Sequence, residues 1–338
     1  MDSTNTLLEG LYILPFPPSV LQETEEDEEI FDQAHIRYWR KVLDKLADGT
    51  IGWDLFLSSF EGPLLFHPSA WLSTSQDGQS LLHLAVIDNQ KMVAEVLTES
   101  SYIKTRKNHF GHTPIDLSHH LNRVEIAKIL DPTPLPRFWK QPKVKSPDRA
   151  KMGPLVPLEY LPYPIFESVE IFNEVLFSTK RAKQEDEIPT EKIWMGIYFD
   201  AEIRQQLTPA VSVRFIDDQV GFGVFASQRI PSCAFVGEYT GVVQERKKRH
   251  LKDKYYCVRY PTWVMGKRHF VIDAEKKGNF TRFINHSTQP NLSLQSVLWK
   301  GMPRMIFVAM EEIDWGTQLT FDYGNVFWKE CSQIPKMF

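Results

Sequence analysis

Five short stretches of the 338-residue chain concentrate residues that can do chemistry. Val220-Gly221-Phe222-Gly223-Val224-Phe225-Ala226 fits Gly-x-Gly-x-x-Ala, a spacing with which backbone cradles a dinucleotide pyrophosphate. That cradle needs a helix directly after it, because the helix N-terminus faces the phosphates. The chain instead continues with Ser227-Gln228-Arg229-Ile230-Pro231 and then the β-rich Phe235-Val236-Gly237-Glu238-Tyr239, so the dinucleotide reading is rejected. The other stretches are Glu238-Tyr239-Thr240-Gly241, Ile272-Asp273-Ala274-Glu275-Lys276-Lys277-Gly278-Asn279, Arg282 through Asn291, and Leu319-Thr320-Phe321-Asp322-Tyr323-Gly324. Taken singly, the tyrosines read as core residues, Asn285-His286 as a polar turn and the glycines as a hairpin. Asp273 and Asp322 are the carboxylates that would make a general-base pair; we read both as structural. His109, His112, His119 and His120 cluster without a cysteine and follow repeat positions, which argues for packing rather than metal binding.

Composition limits what can surround these residues. The chain is 42% hydrophobic and 24% charged, enough for ordinary cores and for two or three domains. Cys233, Cys257 and Cys331 lie far apart, which argues against a disulfide framework and fits a reducing, intracellular compartment. No secretory leader pattern opens the chain, and no apolar run approaches the ~18 residues of a membrane span, so no membrane partner is expected. The net charge of −4 is uneven: residues 1–131 hold 20 Asp and Glu against 10 Lys and Arg, whereas the remainder is net basic.

Local pattern indicates the elements that position the chemistry. Residues 1–35 form an acidic segment, with six acids among residues 23–29 that suit a solvated run or a helix N-terminus. Ile36, Trp39, Val42, Leu43 and Leu46 recur at helical spacing. Gly78 and Gly111 then open two similar units 33 residues apart, and Leu84, Val93, Ala94, Val96 and Leu97 match Leu117, Ile126, Ala127, Ile129 and Leu130. With Ser80-Leu81-Leu82-His83 and Thr113-Pro114-Ile115-Asp116, residues 36–131 resemble ankyrin repeats, which implies a helical module that binds a protein partner. Two units are too few to stand alone, so helices in 36–70 are expected to cap them. Nine prolines and a basic excess make 132–164 an extended linker without regular structure. Its Arg137-Phe138-Trp139-Lys140 reads as solvated linker, with nucleic-acid contact as the alternative, and the cluster Arg246-Lys247-Lys248-Arg249-His250 reads as a solvated helix face, with a nuclear address or a nucleosome contact as alternatives. From Val211 short β-branched and aromatic runs separated by turns mark a mostly β region.

In this order and spacing the five stretches resemble the SET-domain protein lysine methyltransferases over about residues 210–330. The Arg282-Phe283-Ile284-Asn285-His286-Ser287-Thr288-Gln289-Pro290-Asn291 run is the most specific, and Phe321-Asp322-Tyr323-Gly324 with Phe327-Trp328 just after looks most like the histone-tail-modifying branch. The resemblance implies curled β-sheets closed by a pseudoknot, in which the segment ending at Tyr323 threads beneath the loop of Asn285 and His286. The reaction implied is methyl transfer from S-adenosylmethionine to a lysine ε-amine. Tyr323 then matches the catalytic tyrosine and Tyr239 a second one lining the lysine channel. Phe321 matches the position that sets product multiplicity; phenylalanine there implies a di- or trimethyl product. Phe327 and Trp328 would wall the channel. Gly221, Phe222, Gly223, Tyr256 (or Tyr255), Arg282, Asn285 and His286 match cofactor contacts. An apolar channel suits the chemistry, because a lysine with a reference pKa of about 10.4 must lose its proton before it can attack.

The expected architecture is thus multidomain α plus β: an α-helical ankyrin-like N-terminal module (36–131), the linker (132–164), a flanking segment (165–209), a mainly-β SET domain with a C-terminal pseudoknot (210–330) and a short tail (331–338). The chain lacks the cysteine clusters that usually bind zinc before and after the domain in this branch, so no zinc or other metal site is expected, and the wall they support must come from elsewhere. The substrate expected is a protein lysine, with a histone tail first and a non-histone protein second. The alternative from another class is an inactive SET and ankyrin scaffold. The implied location is nuclear or chromatin-associated, including the chromatin of a host cell, or otherwise cytoplasmic.

Overall fold

The computed structural model describes residues 25–59, 72–98, 101–132, 158–246, 256–263 and 268–324. Phe327, Trp328, Tyr255, Cys331, Lys247 through His250 and most of the proline-rich stretch lie outside the described residues. The chain forms two compact units, the first reaching Pro132 apart from residues 119–122.

The first unit is helical. The helix anticipated from Ile36 begins earlier and runs Glu25–Ala47, so the acids at 25–29 fall at its N-terminus. It buries Trp39, Val42, Leu43 and Leu46 along one stripe. Next comes a short helix, Trp53–Ser59. Two helix pairs then repeat: Leu81–Ile87 with Lys91–Leu97, and Pro114–His120 with Val124–Leu130. The 33-residue period holds down to single hydrogen bonds. Gly78 N–H donates to Ser75 O at 2.9 Å and Gly111 N–H to Asn108 O at 3.0 Å, with positive φ at both glycines. Ser80 and His83 form a reciprocal helix cap, and Thr113 and Asp116 do the same one period later.

His83 is fully buried and tied on both ring nitrogens. Its Nδ1 accepts from Ser80 N–H at 3.2 Å, which leaves Nε2 to donate to His112 O at 3.0 Å. Burial pushes its pKa down to about 4. The folded chain therefore keeps His83 neutral at pH values where the unfolded chain protonates it. This stability is fully present above about pH 6.5 and should fall by about 3 kcal/mol as the pH drops toward 4. A His83 ring resonance titrating near 6.5 in an NMR titration of the full chain would contradict this.

The second unit is built on strands β1 (Glu159–Tyr160), β2 (Ile165–Phe166), β3 (Val211–Asp217), β4 (Gly221–Ala226), β5 (Phe235–Glu238), β6 (Val242–Glu245), β7 (Cys257–Tyr260), β8 (Phe270–Asp273), β9 (Lys277–Gly278), β10 (Asn285–His286), β11 (Leu292–Trp299), β12 (Met302–Ala309) and β13 (Gln318–Phe321). The largest sheet has the order β3-β4-β13-β11-β12-β5, with β10 beside β13. A second sheet has the order β2-β6-β8-β7, and β1 pairs with β9. Regular structure thus resumes inside the proline-rich stretch: between its prolines, Glu159 N–H and Leu161 N–H remain available to bond Lys276 O and Gly278 O.

After β4 the chain makes a turn into β5 rather than a helix, in line with Pro231 and the β-rich run that follows it. Residues 165–209 supply three helices, Val169–Gln184, Thr190–Tyr198 and Asp200–Gln205. Phe199 and Ile203 pack with Phe235, Val297, Trp299 and Ile306 into one apolar cluster on the large sheet. Trp299 Nε1 donates to Asp200 Oδ1 at 2.9 Å at the edge of this contact.

Candidate active site

Two features of the large sheet converge on one place. The first is the parallel pairing of β10 with β13, Asn285 opposite Thr320 and His286 opposite Phe321. It sets the residues just after β13 against the loop that precedes β10. Tyr323 N–H donates to His286 Nδ1 at 3.2 Å, and Tyr323 O–H donates to Ile284 O at 3.0 Å. The second is the pairing of β5 with β12, Glu238 opposite Ile306, which brings Tyr239 to the same side. Tyr239 N–H donates to Met305 O, and its O–H donates to Tyr256 O at 2.8 Å.

A continuous run of rings joins the two tyrosines. Tyr239 lies 6.4 Å from Phe307, Phe307 is 5.0 Å from Phe321 edge to face, and Phe321 is 4.7 Å from Tyr323. Burial pushes the pKa of both tyrosines upward. Both phenols therefore stay protonated at neutral pH, and neither serves as a phenolate base. Each spends its hydrogen on a backbone carbonyl, which leaves oxygen lone pairs to accept from an amine in the apolar surroundings.

The remaining sequence-derived residues gather beside them. Asn285 Nδ2 donates to Phe222 O at 3.0 Å and so ties β10 to the glycine strand β4. A Cβ on Gly223 would lie 2.7 Å from Ile216 Cδ1, 2.9 Å from Gln318 Nε2 and 3.2 Å from Asn285 Nδ2, so a larger residue there would push these side-chain ends aside. At Gly221 the backbone has positive φ and the space beside it is open. Phe222 packs against Phe215 and Phe283. Arg282 is buried, donates to Glu275 O at 2.7 Å and stacks its guanidinium 3.8 Å from the Tyr256 ring. It acts as the support under Tyr256. A glycine backbone that comes close to two side-chain amides, next to an aromatic face braced by a cation, fits a nucleoside-bearing cofactor with an amino-acid end.

The two carboxylates take structural roles. Asp273 accepts from Gln244 Nε2 at 2.8 Å and Glu275 N–H at 2.9 Å. Asp322 is exposed and accepts from Gly324 N–H. Among the described residues no group of three or more His, Cys, Asp or Glu is placed to hold a metal ion. No described helix is long and apolar enough to cross a membrane.

Sequence reasoning missed what stands behind Tyr239. Glu238 is 0% exposed and Arg304 1%, and the two form a forked ion pair, Nε to Oε1 and Nη2 to Oε2. Gln206 Nε2 adds a bond to Oε2 at 3.2 Å. Burial works against the Arg304 charge, but Glu238 outweighs it and raises the guanidinium's pKa. The available signal was one acid and one base, each lone in an otherwise apolar strand. Asn291 is the second omission: it accepts from Thr320 N–H and donates to Gln318 O, and so braces β13 along one edge.

Known proteins are similar in sequence to about a third of this chain. The chain is 35% identical over 112 residues to the human and mouse histone-lysine N-methyltransferase SETD2, covering 32% of this chain and 4% of theirs. It is 36% identical over 117 residues to the putative histone-lysine N-methyltransferase ASHH4 of Arabidopsis thaliana, covering 32% of each chain. A Schizosaccharomyces pombe histone-lysine N-methyltransferase described as H3 lysine-36 specific is 34% identical over 113 residues, covering 32% of this chain and 14% of that one. Among solved structures, KRYPTONITE in complex with mCHH DNA, H3(1-15) peptide and SAH matches at 33% identity with a TM-score of 0.30, covering 35% of this chain and 24% of that one. The chain therefore spans a third or less of the length of each of these relatives. The match to a family model falls on the strands and loops described above: residues 221–324 match the SET domain.

Proposed function

We propose that this chain is an S-adenosylmethionine-dependent protein-lysine N-methyltransferase, with a histone tail as its substrate and a di- or trimethyl-lysine as its product. The observation that carries the reading is the pairing of Tyr239 and Tyr323. Two neutral phenols, Tyr239 buried and Tyr323 half-buried, give their hydrogens to Tyr256 O and Ile284 O across a run of aromatic rings, beside the glycine strand β4. The SET-domain match over residues 221–324 and the names of the histone-lysine relatives support it.

S-adenosylmethionine supplies the electrophilic methyl group when bound. Gly221, Phe222, Gly223, Asn285 and His286 are the residues proposed to hold it, with Tyr256 braced by Arg282. The protein's part is orientation and desolvation. The apolar wall of Phe307 and Phe321 disfavours the charged ammonium and so eases loss of its proton to water. The phenol oxygens of Tyr239 and Tyr323 then accept from the neutral amine and hold its lone pair in line. The aromatic faces suit a methylammonium product. Phe327 and Trp328 are proposed to complete the channel wall.

Phe321 carries the proposal on multiplicity. Phe321→Tyr should shift the product toward monomethyl-lysine, because an added hydroxyl holds a water in the space a methylated amine needs. Mass spectrometry of the reaction products checks this; a wild type that stops at monomethyl and is unchanged by Phe321→Tyr contradicts it. The activity itself is tested by incubating the full chain with labelled S-adenosylmethionine and histones in one reaction and a cell lysate in another. Label confined to non-histone proteins favours the second substrate class, and no label with no cofactor binding favours a scaffold. The helical unit is proposed as an ankyrin-like module that recruits a protein partner, on the strength of its 33-residue recurrence of caps and turns, and the location proposed is nuclear and chromatin-associated.

A further inference from the structure

The buried pair behind Tyr239 is poorly explained as a stabiliser. Removing two charges from water costs more than a forked contact usually returns, and apolar residues of similar volume often serve as well or better. Arg304 also keeps one guanidinium nitrogen, Nη1, buried without a hydrogen-bond partner, a further cost. The guanidinium lies over the Trp299 ring at 4.8 Å and approaches the Tyr163 ring at 5.7 Å.

What the pair does provide is a fixed exit from β5. Glu238 is the last residue of that strand, and Tyr239 is the first beyond it. Side chains alternate along an extended chain, so a clamp on the Glu238 carboxylate from one face fixes the direction of the phenol on the other. The Glu238 carbonyl is held as well, by Asn279 Nδ2 at 2.9 Å and Thr281 Oγ1 at 3.2 Å. Gln206, which reaches the same carboxylate, sits in the left-handed region (φ 53°) just past the helix Asp200–Gln205. The clamp thus joins the end of the flanking helical segment to the residue that aims Tyr239.

We propose that Glu238, gripped by Arg304 and Gln206, is a positioning residue that sets the width of the lysine channel through Tyr239. The proposal rests on the methyltransferase reading above. A displaced phenol should slow the transfer and change how many methyl groups the amine can take. A merely structural pair would change the amount of active protein and leave the product ratio alone.

The test compares wild type with the double variant Glu238→Leu/Arg304→Met, full-length, using S-adenosylmethionine and histone substrate under single-turnover conditions. The double variant is expected to fold and to bind S-adenosylmethionine within about twofold of wild type. Its rate should be lower by roughly tenfold or more, with an altered mono- to di- to trimethyl ratio. An active wild type alongside a double variant with unchanged rate and ratio overturns the positioning role alone. A wild type that transfers no methyl group overturns the methyltransferase reading, and the positioning role with it. If the double variant does not fold, Gln206→Asn decides: it tolerates the left-handed backbone but is too short to reach the carboxylate. It should lower the rate about threefold and shift the ratio, and an unchanged rate and ratio overturns the proposal.

Discussion

Tyr323→Phe should lower the rate of methyl transfer by roughly 10²–10³-fold while leaving S-adenosylmethionine affinity nearly unchanged. The ring contacts with Phe321 and His286 survive this substitution, so the local packing is kept. What disappears is the oxygen whose hydrogen is given to Ile284 O and which is proposed to accept from the amine. The lost backbone bond costs only about 1 kcal/mol of stability, so a folded and cofactor-competent protein is expected. Rate and affinity should therefore separate. Single-turnover kinetics and calorimetric binding on the same preparation read both, and a rate within about twofold of wild type would remove Tyr323 from the catalytic role.

Arg304→Met should destabilise the second unit by about 3–5 kcal/mol, because it leaves the Glu238 carboxylate buried with its charge uncompensated beside Gln206. The loss should exceed that of the double variant with Glu238→Leu, which removes both charges together. Such a sign of coupling is what a double-mutant cycle isolates. Denaturant unfolding monitored by tryptophan fluorescence measures it, since Trp299 lies against the guanidinium. If the losses of Arg304→Met and Glu238→Leu measured singly add up to the loss of the double variant, the two charges are not coupled and the clamp on β5 is not electrostatic.

Local pattern carried the first unit. A 33-residue repeat writes the same turn, cap and helix pair twice, and these bonds span few residues, so Gly78, Ser80 and His83 foretell Gly111, Thr113 and Asp116. The site in the second unit is different, because non-local pairing makes it. Nothing in periodicity puts Tyr323 beside Ile284; the parallel pairing of β10 and β13 does, and only the resemblance of the five stretches pointed there. Glu238 and Arg304 are 66 residues apart, and the register of β5 on β12 is needed before they meet. The proline-rich stretch read as wholly irregular because proline content was averaged over it, whereas the two residues Glu159 and Tyr160 lie between prolines and pair freely.

Two neutral phenols beside a glycine-cradled cofactor site are proposed to carry a lysine to a high methylation state. Methyl-lysine mapping by mass spectrometry, after incubating the full chain with S-adenosylmethionine and histones, reads that outcome directly. The expected result is di- or trimethylation of a defined histone lysine by wild type and none above background by Tyr323→Phe. Equal methylation by the two proteins, or no methyl-lysine from wild type in histones and lysate alike, would contradict it.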